Sequence, residues 1–121
     1  MVAYPFNKQA ATPVAGVALV NATPNILTWT APSDGALHRV SILATLDVTS
    51  GATAGALGVT ITAPDGTSGT LSLFAGGHTA ALYGPAAPMD LIVQSGSTVT
   101  VAQTSGLSGG AATVWAEIWG Q

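Results

Sequence analysis

The residues able to do acid–base or metal chemistry are few, and their spacing does not gather them. His38 and His78 are the only imidazoles, and the carboxylates Asp34, Asp47, Asp65, Asp90 and Glu117 stand singly along the chain. Without cysteine there is no thiolate nucleophile, no thiolate metal ligand and no disulfide. Residue counts permit a Ser-His-Asp triad, but the chain shows no helical period, so no serine sits in the strand-to-helix turn that lifts a nucleophile in such enzymes. Asp65, inside Ala63-Pro64-Asp65-Gly66, reads as a turn side chain that accepts from nearby backbone. The other reading, a calcium ligand, lacks neighbouring acids to complete a loop site. His38 reads as a strand residue at the edge of the core and His78 as a loop residue. We therefore expect no catalytic residue, no cofactor, no metal and no enzymatic activity.

Two other groupings carry more information. Trp115 and Trp119 fall on one side of the last alternating run, with Glu117 between them. Such a set can stack on a carbohydrate, fill a contact between subunits, or form a second core face if the strand is covered twice. Arg39 is the only arginine and lies mid-strand on a polar face. There it makes either an exposed cross-strand pair, worth under about 1 kcal/mol, or a pair across a subunit interface.

Composition points the same way as the second grouping. Hydrophobic residues make up 48% of the 121 residues and charged ones 6%, against roughly 25% charged in an ordinary globular domain. A surface of Thr, Ser, Ala and Gly is covered by other protein more often than a charged one, so assembly is expected. The two basic residues, Lys8 and Arg39, in a chain of formal net charge −3, cannot neutralise a run of phosphates, which argues against nucleic acid. No apolar run reaches the 18 or so residues of a membrane span, and the start MVAYPFNKQA lacks a basic region followed by an apolar one. No membrane partner and no export are expected.

The elements that must hold these residues are strands. Leu37 to Val48, LHRVSILATLDV, is the longest alternating run, with His38, Val40, Ile42, Ala44, Leu46 and Val48 on one face and Arg39, Ser41, Thr45 and Asp47 on the other. Turn chemistry bounds it: Ala31-Pro32-Ser33-Asp34-Gly35 before, TSGATAG after. Val14 to Val20 forms a short first strand and Ile26 to Thr30 a second. Leu57 to Ala63 and Thr70 to Ala75 form a hairpin through Pro64-Asp65-Gly66, with a rather long loop. His78 to Pro88, with its alanines and two prolines, reads as a connection between sheets. Met89 to Gln94 and Thr98 to Gln103 read as a second hairpin through Ser95-Gly96-Ser97. A flexible loop, TSGLSGG, then leads to the final strand, Ala111 to Gly120. Residues 1–13 show no period and read as an N-terminal arm, leaving 14–121 as one domain. About eight strands and no helical period predict an all-β, antiparallel β-sandwich of jelly-roll type.

The order of these motifs resembles a family of small tailed-bacteriophage structural proteins. The resemblance rests on the proline turn, the strand Gly35 to Val48, the hairpin VTITAPDGTSGTLSL from Val59 to Leu73, the segment IVQSGSTVTV from Ile92 to Val101, and a final strand. It spans about residues 26 to 119 and contains no invariant chemistry. It implies a head decoration (cement) protein or a related fibre-tip module, commonly a jelly-roll trimer. The expectation that follows is a homotrimer seated on the major capsid protein of a phage head, placed on the capsid surface of the virion after assembly in the host cytoplasm. Trp115, Glu117, Trp119 and Arg39 would serve the subunit interface, and Tyr4, Pro5, Phe6 and Lys8 of the arm would touch the capsid. The alternative is a receptor- or carbohydrate-binding tip domain. A tip domain usually needs a long shaft or tail anchor, which 121 residues leave little room for, and this favours decoration.

Overall fold

The computed structural model describes residues 14–50, 53–54, 56–74, 81–83 and 89–120. The expected arm, with Tyr4, Pro5, Phe6 and Lys8, and the expected loop residue His78 lie outside them. Among the described residues eleven strands run in chain order: β1 Val14–Ala18, β2 Asn25–Thr30, β3 His38–Ser50, β4 Thr53–Ala54, β5 Leu57–Thr62, β6 Ser68–Phe74, β7 Ala81–Tyr83, β8 Met89–Val93, β9 Thr98–Gln103, β10 Leu107–Ser108 and β11 Ala111–Gly120. No helix among the described residues is long and apolar enough to cross a membrane.

These strands make two antiparallel sheets and one short ladder. The first sheet runs β1-β11-β3, and β3 then pairs with both β8 and β7 on its far side; the second runs β2-β9-β5-β6; β4 pairs with β10. The pairing follows one rule: β1 with β11, β2 with β9, β3 with β7 and β8, β5 with β6. First pairs with last and the pairing works inward to a central hairpin, which is a long ribbon rolled up on itself. That is the jelly-roll connection, the architecture expected from about eight strands and no helical period.

The core lies between the sheets and is made by the period of two. On β3, Val40, Ile42, Ala44, Leu46 and Val48 are buried, and on β11 so are Ala112, Val114, Ala116 and Ile118. From the other sheet come Leu57 and Val59 of β5, Val99 and Val101 of β9, and Phe74 of β6. Gln103 is 2% exposed, and its amide acts as a substitute strand: Nε2–H donates to the Val20 carbonyl at 2.7 Å, and Oε1 accepts from the Val20 N–H at 3.4 Å. A buried amide paired this way costs little.

Four expectations change. Met89–Val93 and Thr98–Gln103 are not a hairpin, because β8 pairs with β3 and β9 with β2 and β5. The tight turn at Ser95-Gly96-Ser97 is real, with the Ser97 N–H on the Gln94 carbonyl at 3.1 Å, but it carries the chain from one sheet to the other. Ala81–Tyr83, expected inside a connection, is a strand on Leu46 to Val48. The loop TSGLSGG is tied down, since it contains β10 and the Leu107 N–H donates to the Val20 carbonyl at 2.9 Å. The β5–β6 connection is also tighter than expected. Ala63 N–H donates to the Thr67 carbonyl and Gly66 N–H to the Ala63 carbonyl, and Gly66 sits at φ 89°. This is a three-residue loop closed by a glycine bulge.

Candidate interaction face

Alternation places Arg39, Ser41, Leu43, Thr45 and Asp47 of β3, and Thr113, Trp115, Glu117 and Trp119 of β11, on the outer face of the five-stranded sheet. The register then brings residues distant in sequence together. Trp115 stands opposite Thr45, Glu117 opposite Leu43 and Trp119 opposite Ser41, while β8 sets Asp90 opposite Ser41 and Ile92 opposite Arg39. One continuous face results. Its apolar members are poorly covered: Ile92 is 67% exposed, Trp115 40% and Leu43 37%, and Leu37, just before β3, is 72%.

The two tryptophans are held differently. Trp119 is half-buried, and its Nε1–H donates to Glu117 Oε2 at 2.8 Å. The carboxylate thus fixes the indole and satisfies its one donor. Trp115 lies over the glycine bulge in β1: Gly16 has φ 59°, and a Cβ there would stand 3.5 Å from Trp115 Nε1. Left-handed backbone at residue 16 favours glycine, and the extra residue bends β1 beneath the ring. Arg39 is the second residue of β3 rather than a mid-strand one. With Asp90, Leu91 and Ile92 it lines a shallow depression of about 390 Å³ at the margin of the face.

The structure brings Trp115, Glu117 and Trp119 together as the sequence predicts and sets Arg39 at the corner of the same face. Sequence reasoning missed Leu37, Leu43, Asp90 and Ile92. The signal for the leucines was present, since Leu37 and Leu43 are large apolar residues on the polar side of the longest alternating run. Asp90 and Ile92 join through the β3–β8 register, which no local pattern encodes.

Among the described residues the one histidine–carboxylate pair sits elsewhere, at the end of the sandwich. His38 Nε2–H donates to Asp34 Oδ1 at 2.9 Å, because a carboxylate can only accept, and the ring meets Trp29 edge-on with centroids 6.4 Å apart. The same Oδ1 accepts from the Ala36 N–H at 3.0 Å. That backbone donor first, and His38 second, hold the Asp34 carboxyl below its ordinary value. The nearby Ser95 hydroxyl donates to the Pro32 carbonyl at 3.0 Å and accepts from the Gly35 N–H at 2.9 Å, so it is engaged with backbone and not with the imidazole. The cluster clips the turn before β3. Asp65 has the turn role expected of it, accepting from the Thr67 N–H at 2.9 Å, which lowers its carboxyl. Among the described residues no three His, Cys, Asp or Glu side chains group as metal ligands.

No protein-family model and no curated protein sequence matches the chain. Solved structures similar to it include viral capsid proteins. The chain of T=1 particles derived from infectious bursal disease virus has a TM-score of 0.55 at 15% identity over 94% of this chain and 31% of its own. The T13 particle of the same virus has a TM-score of 0.52 at 18% identity over 89% and 30%. Its VP2 subviral particle has a TM-score of 0.52 at 13% identity over 99% and 34%. This chain therefore spans about a third of the length of those chains, and what it shares with them is the fold alone.

Proposed function

We propose that this chain is a structural, non-enzymatic virion protein that decorates and stabilises a phage capsid as a homotrimer. The observation that carries the reading is the outer face of the five-stranded sheet: a capsid-type jelly roll turns Leu37, Leu43, Ile92 and Trp115 to solvent beside Trp119. Isolated surface hydrophobics are ordinary, but a contiguous group with two tryptophans is the composition of an interface core. Glu117 and Arg39 supply polar contacts at its centre and rim. The arm residues Tyr4, Pro5, Phe6 and Lys8 would engage the major capsid protein.

The test is co-sedimentation of the purified chain with empty phage capsids, with light scattering to give its mass. Binding by a trimer is the expected result, and removal of Met1 to Ala11 should weaken attachment while leaving the melting temperature nearly unchanged. A stable monomer at micromolar concentration removes the reading. A second function draws on the same platform, since an indole oriented by a carboxylate also suits a sugar ring; binding to host cells in place of capsids would select a receptor- or carbohydrate-binding tip domain.

A further inference from the structure

The edge of the four-stranded sheet is open in an unusual way. Among the described residues β6 has one strand partner, β5, and Ser68 to Ser72 are all exposed. Proteins normally blunt such an edge with lysine, proline or a bulge. The stretch SGTLS contains neither a charge nor a proline.

Which backbone groups face outward follows from the hairpin. The Ala63 N–H bonds the Thr67 carbonyl, so that pair is hydrogen-bonded, and the register continues Thr62 opposite Ser68, Ile61 opposite Gly69, Thr60 opposite Thr70 and Val59 opposite Leu71. Antiparallel pairs alternate between bonded and non-bonded. Gly69 and Leu71 therefore bond to β5, and Ser68, Thr70 and Ser72 direct N–H and C=O away from it. The close approach of Thr60 and Thr70 Oγ1, 2.9 Å, agrees with a non-bonded pair.

Two side-chain facts lack an explanation within one copy. Leu71 shares the core side of the strand with Val59 yet is 43% exposed. Gly69 has no positive φ, and a Cβ there would meet nothing within 4 Å, so neither backbone nor packing asks for glycine.

We propose that β6 pairs antiparallel with β6 of a second copy about a twofold axis at Thr70. Thr70 then faces Thr70 of the other copy, and Ser68 and Ser72 face each other both ways. These three outward residue pairs exchange about six backbone hydrogen bonds. In the same register each Leu71 stands opposite the other copy's Gly69, whose missing side chain leaves room for it. The two exposed leucines are covered, and the two four-stranded sheets become one of eight. The partner is fixed as a second copy because the strand complements itself at every position, serine on serine, threonine on threonine and leucine on glycine. This pairing is independent of the trimer proposed above. If both occur, the twofold links one trimer to the next.

The test uses the full chain in two single-residue variants. Gly69→Val adds a side chain where the monomer has space, and strands favour valine. It should keep the melting temperature and halve the mass measured by sedimentation. Thr70→Cys introduces the sole thiol, and bonded antiparallel pairs hold Cα atoms about 5.5 Å apart, within disulfide reach. It should form a disulfide-linked dimer at least tenfold faster than Thr30→Cys on the opposite edge strand, β2. Unchanged mass in Gly69→Val, or equal cross-linking rates for the two cysteine variants, overturns the pairing. Neither result bears on the Trp115 face, whose loss would lower the mass of the Gly69→Val protein further.

Discussion

The outer face of the five-stranded sheet carries Leu43, Ile92, Trp115 and Trp119 beside Arg39, Asp90 and Glu117, whereas that of the four-stranded sheet carries rows of hydroxyls. Thr28, Thr100, Thr60 and Thr70 stand in register across its four strands, and Thr30, Thr98, Thr62 and Ser68 form the next row. Both sheets bury the same kinds of residue inward. They differ in what they leave to water. The threonines bond across strands, Thr28 to Thr100 at 3.3 Å, Thr30 to Thr98 at 3.4 Å and Thr60 to Thr70 at 2.9 Å, so this face is satisfied within one chain and carries no charge. The other leaves indole and aliphatic surface uncovered. A partner stabilises the five-stranded face far more than the four-stranded one, and low charge alone would not have distinguished them.

The contrast breaks most visibly at the tryptophans. Trp115→Ala with Trp119→Ala should dissolve the trimer and, through loss of multivalency, lower capsid occupancy by about 10² or more, measured by co-sedimentation. A circular-dichroism spectrum like that of the parent would place the loss in the contact rather than the fold. Next comes the point where the two sheets touch. A Cβ at Gly120 would stand 2.5 Å from the Trp29 ring, a rigid group with little room to yield. Gly120→Val should therefore cost about 1–3 kcal/mol in denaturant unfolding, and an unchanged midpoint would mean that the sheets separate there without penalty. Salt discriminates between apolar and charged contact on the first face. With two basic residues in the chain, raising ionic strength should change occupancy less than tenfold, about 1.4 kcal/mol. A steeper loss would assign the contact to Lys8, Arg39 or the carboxylates.

Smaller effects belong to the second face and the clip. Thr60→Val with Thr70→Val should alter stability by less than about 1 kcal/mol in denaturant unfolding, because β-branching is kept and an exposed hydroxyl pair is lost. For Asp34 the sign follows from its lowered carboxyl. Its contribution to folding is present above the unfolded carboxylate's pKa and is lost as pH falls through the folded value. Acid titration should show wild type losing slightly more stability than Asp34→Asn below about pH 4, with the two curves parallel above it. Identical curves throughout would remove the carboxylate–His38 clip as a source of acid sensitivity.

What the sequence reveals divides along the same physical line. Alternation in β3, β5, β9 and β11 is a local signal and fixes both the strands and their inner faces, and with them the Trp115, Glu117 and Trp119 set. Partner choice is not local. The turn Ser95-Gly96-Ser97 has hairpin chemistry, yet β8 leaves for β3 because Met89, Leu91 and Val93 find cover there. β7, at three residues, is too short to display a period. Trp29 read as one more aromatic in a strand, and its seat on Gly120 requires both sheets to be in place. The open edge of β6 is likewise invisible until the strand order shows that, among the described residues, nothing follows it.

The position of β11 has a consequence for how the chain is made. It lies between β1 and β3, which precede it by most of the chain. Until residues 111–120 emerge, the first sheet has a gap in its middle, with two unsatisfied backbone edges and a core that lacks Ala112, Val114, Ala116 and Ile118. A ribosome working at about 5–20 residues per second leaves that gap open for several seconds. The β5–β6 hairpin closes early through local contacts, while closure of the sandwich waits on the most distant pairing and is correspondingly slow. Nascent chains of this protein are thus exposed to one another just when their edges are free, and a host chaperone that shields strands during those seconds would raise the yield of folded protein more than any stabilising substitution in the finished core.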